Sequence, residues 1–467
     1  MLSASDTRRS LATLTLALLV ILCLISLAAA SGRHATAAAP AGWLVQPKGE
    51  AGCIHARGTN RCARARAVTS PEDVAISPDG RHVYVAAYGS NAVAVFARNR
   101  RTGELEQLSR RRGCVRHERG GSCASARALA NPTAIALSAD GKNVYVTSAG
   151  SDALTVFARN LRTGALRQLP GASGCLSQRP GGGCLVGRGL NEPTSVAVSP
   201  DGRHVYVAGR RFPSGIAILE RASDGSLTQP SGASGCISHR GGSGCAVARG
   251  ISAPEEVAVT PDSRQVLVAG MRSNAVAVLS QGPAGLSQAP DETGCIANRA
   301  GEGCARGRAL AGPVDLAVTA NGRGVYVASS IGDAVATLRR DPSTGVLTQS
   351  QSRAGCISQK GGGGRCAVGR GLDEVWGVAV TRDGRNVYAV SAKVNMLSAM
   401  TRRSTGTLAQ LPGRYGCFIR AGGFGCPEGR GLTVAVAVAV SRDGRNVYVA
   451  SEDAYLGSIA VFRRRGR

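Results

Sequence analysis

Fourteen of the fifteen cysteines fall into seven close pairs that return at nearly constant intervals. The first members of successive pairs lie 61, 61, 61, 59, 61 and 61 residues apart. A period of this length with a fixed order of features between the pairs indicates seven copies of one structural repeat. The pairs are Cys53 with Cys62, Cys114 with Cys123, Cys175 with Cys184, Cys236 with Cys245, Cys295 with Cys304, Cys356 with Cys366, and Cys417 with Cys426.

Regular spacing, an even count and an N-terminal export signal together predict that each pair is a disulfide. Zinc is the alternative, but a zinc site needs four ligands. Each loop offers two cysteines and no regularly placed histidine, so disulfides are favoured.

Each copy contains three runs of β-branched or aromatic residues and a shorter fourth run. In the first copy, Val74–Ile76 and Val83–Val85 flank Asp79-Gly80, a step that favours a hairpin turn. Ala92–Phe96 forms the third run. Four antiparallel strands per repeat, arranged radially, predict the blades of a β-propeller.

The two ends of the chain complement each other. The seventh copy stops after its third run, at Phe462. Gly42–Gln46 ends seven residues before Cys53, as Gly103–Gln107 ends seven before Cys114. We therefore expect the N-terminal strand to pair with Ile459–Phe462. The predicted fold class is all-β, with residues 42–467 forming a seven-bladed β-propeller closed by an N-terminal strand that completes the last blade.

The N-terminus has the pattern of a targeting segment. Arg8 and Arg9 precede an apolar run from Leu11 to Ala30 that is followed by small residues. This pattern predicts a secretory signal over residues 1–30 and a linker over 31–41. An uncleaved membrane anchor is the alternative, because about twenty apolar residues can span a bilayer. Either interpretation places the protein outside the cytoplasm, secreted or at the cell envelope.

Three phrases resemble the YVTN repeats of exported bacterial propellers: Ser77–Ala86, Ser199–Ala208 and Ser441–Ala450. More widely, the chain is similar to the lactonase-like seven-bladed β-propellers. The resemblance implies this fold, and for its active members it implies hydrolysis of sugar lactones or cyclisation of muconates by polar side chains at the channel mouth. No such catalytic set can be matched residue by residue here, so no catalytic residue is assigned.

One arginine follows the second cysteine of every pair by four residues. A ring of seven guanidinium groups could bind a polyanion, in keeping with the net charge of +26. Alternatively, each arginine ties its loop to carbonyl groups of a neighbouring blade. The set is Arg66, Arg127, Arg188, Arg249, Arg308, Arg370 and Arg430.

Two positions just before the innermost strand differ most between the copies, and they place acids in blades one, four and five. The binding candidates at these positions are Glu72, Asp73, Glu255, Glu256, Asp315 and Trp376. Carboxylates gathered in a concave site could bind Ca²⁺ or act as acid and base. Otherwise they are solvated or paired with the arginines. No other cofactor is expected.

These features favour a non-enzymatic, extracytoplasmic binding or scaffold module. Its partner would be an anionic polymer, a membrane surface or an acidic protein. The alternative is a lactonase-like hydrolase with a carboxylate site at the channel mouth. We expect no sequence-specific binding of nucleic acid. We expect the protein to be a monomer. Convergence of the acids in one pocket would favour the enzyme or the Ca²⁺ site, whereas exposed arginines would favour anion binding.

Overall fold

The computed structural model describes residues 39–466 apart from 60, 118–120, 243, 300–302 and 454–455. The predicted signal and most of the predicted linker lie outside these residues, so cleavage or anchoring stays a prediction. Within the part that is described, we find no helix with the length and apolar character needed to cross a membrane.

The regular secondary structure of the described chain consists almost entirely of strands, which are gathered in seven sheets. The first three strands are β1 (Leu44–Val45), β2 (Cys53–His55) and β3 (Ala63–Arg64). Blade one contains β4–β9: Pro71–Ile76, His82–Ala87, Ala92–Arg98, Leu105–Gln107, Cys114–Arg116 and Ala124–Ser125. Blade two contains β10–β15: Pro132–Leu137, Asn143–Ser148, Ala153–Arg159, Leu166–Gln168, Cys175–Ser177 and Leu185–Val186. Blade three contains β16–β21: Pro193–Val198, His204–Gly209, Gly215–Arg221, Leu227–Thr228, Cys236–Ser238 and Ala246–Val247.

The later blades repeat this order. Blade four contains β22–β27: Pro254–Val259, Gln265–Gly270, Ala275–Gly282, Gly285–Gln288, Cys295–Ala297 and Ala305–Arg306. Blade five contains β28–β33: Pro313–Val318, Gly324–Ser329, Ala334–Arg340, Leu347–Thr348, Cys356–Ser358 and Ala367–Val368. Blade six contains β34–β38: Val375–Val380, Asn386–Ser391, Met396–Arg402, Leu408–Gln410 and Cys417–Ile419. Blade seven contains β39–β41 (Ala435–Val440, Asn446–Asp453 and Leu456–Arg464) together with β1–β3.

Short 3₁₀ turns are the only helical elements among the described residues. One precedes the first cysteine of every pair: Gly49–Gly52, Arg110–Gly113, Gly171–Gly174, Gly232–Gly235, Glu292–Gly294, Arg353–Gly355 and Gly413–Gly416. The others are Tyr88–Ser90, Ala149–Ser151 and Gly361–Gly364. The predicted all-β fold and its seven blades are confirmed.

The Asp-Gly step makes the predicted hairpin between the first two strands of a blade. In blade one, Asp79 Oδ1 accepts hydrogen bonds from Ser77 Oγ at 2.6 Å and from the Arg81 N–H at 3.0 Å. Gly80 adopts a φ of +68°, which a residue without a Cβ accepts at little cost. These turns all lie on one face of the ring, which we call the turn face.

The fourth strand differs from the single strand that the sequence predicts. β6 pairs antiparallel with β7 and also with β8, because a 3₁₀ turn breaks the fourth strand into two pieces. After the disulfide loop the chain returns as β9, which pairs parallel with β8. Segments of two or three residues carry too little pattern to predict such pairing.

The N-terminal strands close the ring as expected, but β1 pairs with residues of the last strand that lie beyond the expected segment. β1 pairs with the last strand through Leu44 opposite Arg464. It is β2 that lies opposite the expected segment, with Ile54 facing Ile459. The N-terminal strands therefore complete blade seven.

All seven predicted cysteine pairs form disulfides, with Cα–Cα distances of 4.8 to 5.2 Å. Each bond joins the first residue of the second piece of the fourth strand to a cysteine at the end of the loop that follows, at the outer edge of a blade. Seven disulfides are consistent with an oxidising, extracytoplasmic location. The bonds join Cys53 to Cys62, Cys114 to Cys123, Cys175 to Cys184, Cys236 to Cys245, Cys295 to Cys304, Cys356 to Cys366, and Cys417 to Cys426.

The second cysteine of each pair lies outside the main antiparallel strands. Cys62 and Cys123, for example, directly precede the short strands β3 and β9. In most blades a short returning strand follows the disulfide loop. Blade six is the exception, since Cys426 is followed only by an isolated bridge between Ile419 and Glu428. The residues concerned are Cys62, Cys123, Cys184, Cys245, Cys304, Cys366 and Cys426.

A buried arginine at the end of the third strand joins each of several blades to the preceding one. Arg98 of blade one donates to the Tyr448 hydroxyl at 2.9 Å and to Asp443 at 3.2 Å, both in blade seven. Its side chain is only 1% exposed. Burial opposes ionisation of Asp443, but hydrogen bonds from Ser441 and the nearby Arg98 hold its pKa below the usual range. Equivalent contacts are made by Arg159, Arg221, Arg340 and Arg464.

We expect Arg98→Met to lower the free energy of unfolding by about 2–4 kcal/mol, because it removes a buried charge from partners that stay in place. Chemical denaturation followed by circular dichroism measures this. Arg81→Met is the control, since Arg81 is exposed and we expect a change within about 0.5 kcal/mol. Equal losses in both variants would contradict a closing role for Arg98.

Candidate functional site

A cavity of about 1000 Å³ opens where the inner strands of the blades meet around the central channel. It lies on the face opposite the turn face. The loop before each inner strand and the loop between the second and third strands meet there. In blade one, for example, the Tyr88 N–H donates to the Ser70 carbonyl at 2.9 Å. This confirms that the two kinds of loop share one face.

Every inner strand begins with a β-bulge, and the bulge explains why two successive residues face the cavity. In blade one the register shifts between Pro71 and Asp73, which leaves Glu72 as the extra residue. The same shift recurs in the other six blades. Bulges of this kind re-aim side chains next to binding sites. All six of the predicted inner-strand candidates line the cavity: Glu72, Asp73, Glu255, Glu256, Asp315 and Trp376.

The second of the two cavity-facing residues at a bulge, such as Asp73 or Asp315, mainly holds neighbouring blades together. Asp73 accepts hydrogen bonds from the N–H groups of Val74 at 2.6 Å and of Ile135, in blade two, at 2.9 Å. Asp315 does the same with Leu316 at 2.7 Å and with Val378, in blade six, at 2.7 Å. Both carboxylates therefore have a structural role that the sequence did not indicate.

Burial nevertheless keeps these acids hard to ionise. Despite the backbone hydrogen bonds, burial raises the pKa of Asp73 to about 6 and that of Asp315 to about 7. Glu256 lies close to both, and its pKa is raised well above the usual value by burial and then by the charge of Asp315. The inner layer of the cavity, formed by Asp73, Glu256 and Asp315, is thus a group of neighbouring acids whose ionisation is opposed by burial.

Glu72 lies in the outer layer, at the bulge of blade one. Burial, followed by the charges of Glu452 and Asp73, raises its pKa to about 7, while Arg210 acts in the opposite direction. At the same position in blades two and three, Thr133 and Thr194 donate to carbonyl groups of the next blade. No hydrogen bond of this kind is found for Glu72 among the described residues, so its carboxyl group faces the cavity with a pKa suited to a general base.

One arginine is fixed between acids at the rim. Arg210 contacts Glu192 through Nη2, and its Nη1 lies 3.4 Å from Glu255 Oε1. Burial raises the pKa of Glu255, and the charge of Arg210 partly offsets that effect. Two carboxylates therefore position a guanidinium group at the cavity wall, close enough to Glu72 to influence its ionisation.

Blade six supplies the aromatic part of the site. Trp376 Nε1 donates to Glu374 Oε1 at 3.2 Å. Lys393 lies on the same side and forms an ion pair with Asp373 at 3.2 Å, at an exposed position. Trp376 therefore offers a flat apolar surface at the rim, held by its own loop.

Arg210 and Glu452 were not predicted from the sequence. They occupy the seventh position counted from the start of the second strand, which reads Tyr88, Ala149, Arg210, Met271, Ser330, Ala392 and Glu452 in the seven blades. This column varies as much as the two that were singled out. The same criterion, applied one loop further along the repeat, would have found both residues.

The seven repeated arginines are used within the fold. Arg66 donates to the Arg110 carbonyl at 3.0 Å, and its own N–H donates to Gln107 Oε1 at 2.9 Å, both in blade one. Each of the other six likewise donates to a main-chain carbonyl of the following blade. These contacts match the alternative interpretation, in which the arginines tie loops to neighbouring blades, and give no support to an anion-binding ring.

Among the described residues, no group of three or more His, Cys, Asp or Glu side chains is placed to hold a metal ion. Binding of Ca²⁺ therefore remains only a sequence-based expectation.

Residues 57–117 match the family model described as "Lactonase, 7-bladed beta-propeller". This segment contains both Glu72 and Asp73. No curated protein matches the chain. The resemblance to lactonase-like propellers is confirmed by this match together with the seven blades.

Several solved structures share the fold. A candidate 6-phosphogluconolactonase from Bacteroides fragilis NCTC 9343 is 19% identical, with a TM-score of 0.54 over 85% of this chain and 90% of that one. Another from Bacteroides uniformis ATCC 8492 is 17% identical, with a TM-score of 0.50 over 75% and 86%. Hydrazine synthase from Kuenenia stuttgartiensis is 15% identical, with a TM-score of 0.51 over 88% and 99%. Such different proteins at this identity show the fold alone.

Proposed function

Because the chain is a seven-bladed β-propeller with a segment that matches the lactonase family, we propose that it hydrolyses lactones in the cavity at the channel mouth. The observation that carries this proposal is Glu72, a half-buried carboxyl group with a pKa of about 7 that faces the cavity near Arg210. The family match favours this alternative over the scaffold that the sequence first suggested.

The chemistry needs only water and the side chains of the cavity. Glu72 accepts a proton from a water molecule as the water oxygen forms a bond to the lactone carbonyl carbon. Arg210 stabilises the negative charge that develops on the carbonyl oxygen. The ring C–O bond then breaks, and the proton held by Glu72 passes to the departing oxygen. The product is a hydroxy acid, and Glu72 is returned to its starting state.

The charges around the cavity favour a neutral or cationic lactone. Eight carboxyl groups line it, whereas Arg210 and Lys393 are the basic side chains among the described lining residues. The acids are Glu72, Asp73, Glu192, Glu255, Glu256, Asp315, Glu374 and Glu452. An anionic substrate such as a sugar phosphate would be disfavoured, because it would add negative charge to a site where burial already makes carboxyl groups hard to ionise.

A hydrolysis screen over three lactones tests the proposal. We expect glucono-δ-lactone (neutral) and homoserine lactone (cationic) to be opened faster than in buffer alone. A phosphorylated gluconolactone (anionic) should show at least about tenfold lower kcat/KM. Release of acid at constant pH measures all three. Turnover of none of them above the buffer rate would overturn the proposed activity, and preference for the phosphorylated compound would overturn the assigned charge selectivity.

A further inference from the structure

A second pocket, of about 460 Å³, lies on the turn face where blades seven and one meet. It is lined by the hairpin residues Arg101 and Thr102 of blade one and by arginines of blade seven. We call it the arginine pocket, and its residues are Arg101, Thr102, Arg445, Arg463, Arg464 and Arg465. It is separate from the channel cavity, which opens on the opposite face.

One of the five arginines is already committed to the fold. Arg464 is buried, and its guanidinium group lies 2.9 Å from Asp383 Oδ2 and 2.7 Å from Asn386 Oδ1. Arg463 Nε donates to the Thr102 carbonyl at 2.7 Å, which joins the two blades. These contacts hold the wall of the pocket in place.

The other guanidinium groups keep their charge available. Among the residues that the structure describes, no carboxylate forms an ion pair with Arg101, Arg445, Arg463 or Arg465. Arg101, Arg445 and Arg465 are exposed. Four like charges at one concave place repel one another, so an anion that enters relieves that repulsion.

A basic residue recurs at the position of Arg445 in every blade, but the pair Arg463 and Arg465 is particular to this junction. Between blades one and two, the positions of this pair are occupied by Ala97 and Asn99. Blade five has Arg339 but Asp341 at the two positions, and blade six has Thr401 and Arg403, so no other blade carries both arginines. Features shared by every blade serve packing, as the repeated arginines show, whereas a difference confined to one junction is not required by the repeat.

We propose that the arginine pocket binds a phosphate or phosphate-ester group carrying two or more negative charges. Guanidinium groups offer paired N–H donors that match phosphate oxygens, and several of them can share one such group. The anionic partner expected from the net charge of +26 is thereby assigned to this pocket instead of to the ring of seven arginines. The site does not depend on the proposed lactonase activity.

Binding of inorganic pyrophosphate, measured by isothermal titration calorimetry at low ionic strength, tests the proposal. The test variant is Arg101→Ser with Arg465→Asn, which introduces the residues that blade five (Ser343) and blade one (Asn99) carry at these positions. The control is Arg81→Ser with Arg162→Ser, which removes the same number of positive charges between blades one and two, at the positions of Arg445 and Arg101. We expect the test variant to bind pyrophosphate at least about tenfold more weakly and the control to bind as the wild type does.

An equal loss in both variants would overturn the proposal, because it would mean that net charge alone governs binding. Absence of pyrophosphate binding by the wild-type protein would also overturn it. Both changes are at exposed positions, and an unchanged thermal transition establishes that the variants fold. Sedimentation with phosphatidic acid vesicles, whose headgroup is a phosphomonoester that can carry two negative charges, is compared with sedimentation with phosphatidylcholine vesicles to identify the source of the phosphate. If the anionic vesicles retain the wild-type protein but not the test variant, the phosphate belongs to a lipid headgroup. If the wild-type protein binds pyrophosphate but not the vesicles, the phosphate belongs to a soluble ligand.

Discussion

Glu72→Gln is expected to lower kcat/KM for lactone hydrolysis by about 10²–10⁴-fold, because a positioned general base contributes a factor of that size. Glutamine keeps the size and most of the polarity of the side chain but cannot accept the proton from water. Substrate affinity should change little, so the loss should fall mainly on kcat. Initial rates with the best substrate of the lactone screen measure the effect.

The pH dependence of the rate tests the role of Glu72 as a general base independently. Glu72 acts as a base only when it is deprotonated, and its pKa is raised to about 7 by burial and by Glu452 and Asp73. The rate constant kcat/KM of the wild-type protein should therefore rise with pH up to about 7 and then level off. A glutamate with an ordinary pKa would give a rate that is already constant above about pH 5. The step near pH 7 should be missing in Glu72→Gln.

Glu104→Gln is the matched control, since it makes the same chemical change at an exposed hairpin on the turn face. Its rate and pH profile should equal those of the wild type. Retention of full activity by Glu72→Gln would exclude Glu72 as the base, and the other acids of the outer layer, Glu255 first, would have to be tested in its place.

Loss of the seven disulfides is expected to have the largest effect on stability. Each closes a loop of about ten residues, which the chain-entropy model values at about 2–3 kcal/mol. Seven such contributions, together about 14–21 kcal/mol, match or exceed the roughly 5–15 kcal/mol that typically separates a folded domain from its unfolded chain. The fully reduced protein should thus lose its cooperative thermal transition or show it at a much lower temperature.

Circular dichroism of oxidised and reduced samples measures this, with alkylation and mass spectrometry to count the free thiols. The double variant Cys114→Ser with Cys123→Ser removes a single bond and should lose only about 2–3 kcal/mol. A reduced protein that melts at the same temperature as the oxidised one would show that the inner three strands of the blades suffice for stability.

Much of the fold could be predicted because the same pattern of strands, turns and cysteines occurs seven times in the sequence. The cysteine spacing, the Asp79-type turns and the unpaired N-terminal strand each lead to seven blades. The broken fourth strand and the parallel strand β9 could not be predicted, since two or three residues have no usable periodicity. The partner of β1 was misplaced for the same reason, because one broken strand was treated as continuous.

The site was predicted in part. Variation between the copies singled out Glu72 and Glu255, which the structure brings to one cavity. Variation alone could not show that Glu72 and Asp73 have different roles. Only the structure shows that the carboxylate of Asp73 accepts hydrogen bonds from N–H groups of two blades. Variation could also not place Arg210 beside Glu255, since that contact depends on how blade three meets blade four.

The pairing of β1 and β2 with β41 also has a consequence for the order of events during folding. These strands come from opposite ends of the chain, so their meeting closes the longest loop in the molecule and is entropically the most costly contact to form early. β1 and β2 must wait, unpaired, until β41 has been synthesised. Ring completion is therefore a late step, after the other blades have stacked. Until then the open edge of β41 is the place where an incomplete molecule can recruit a foreign strand.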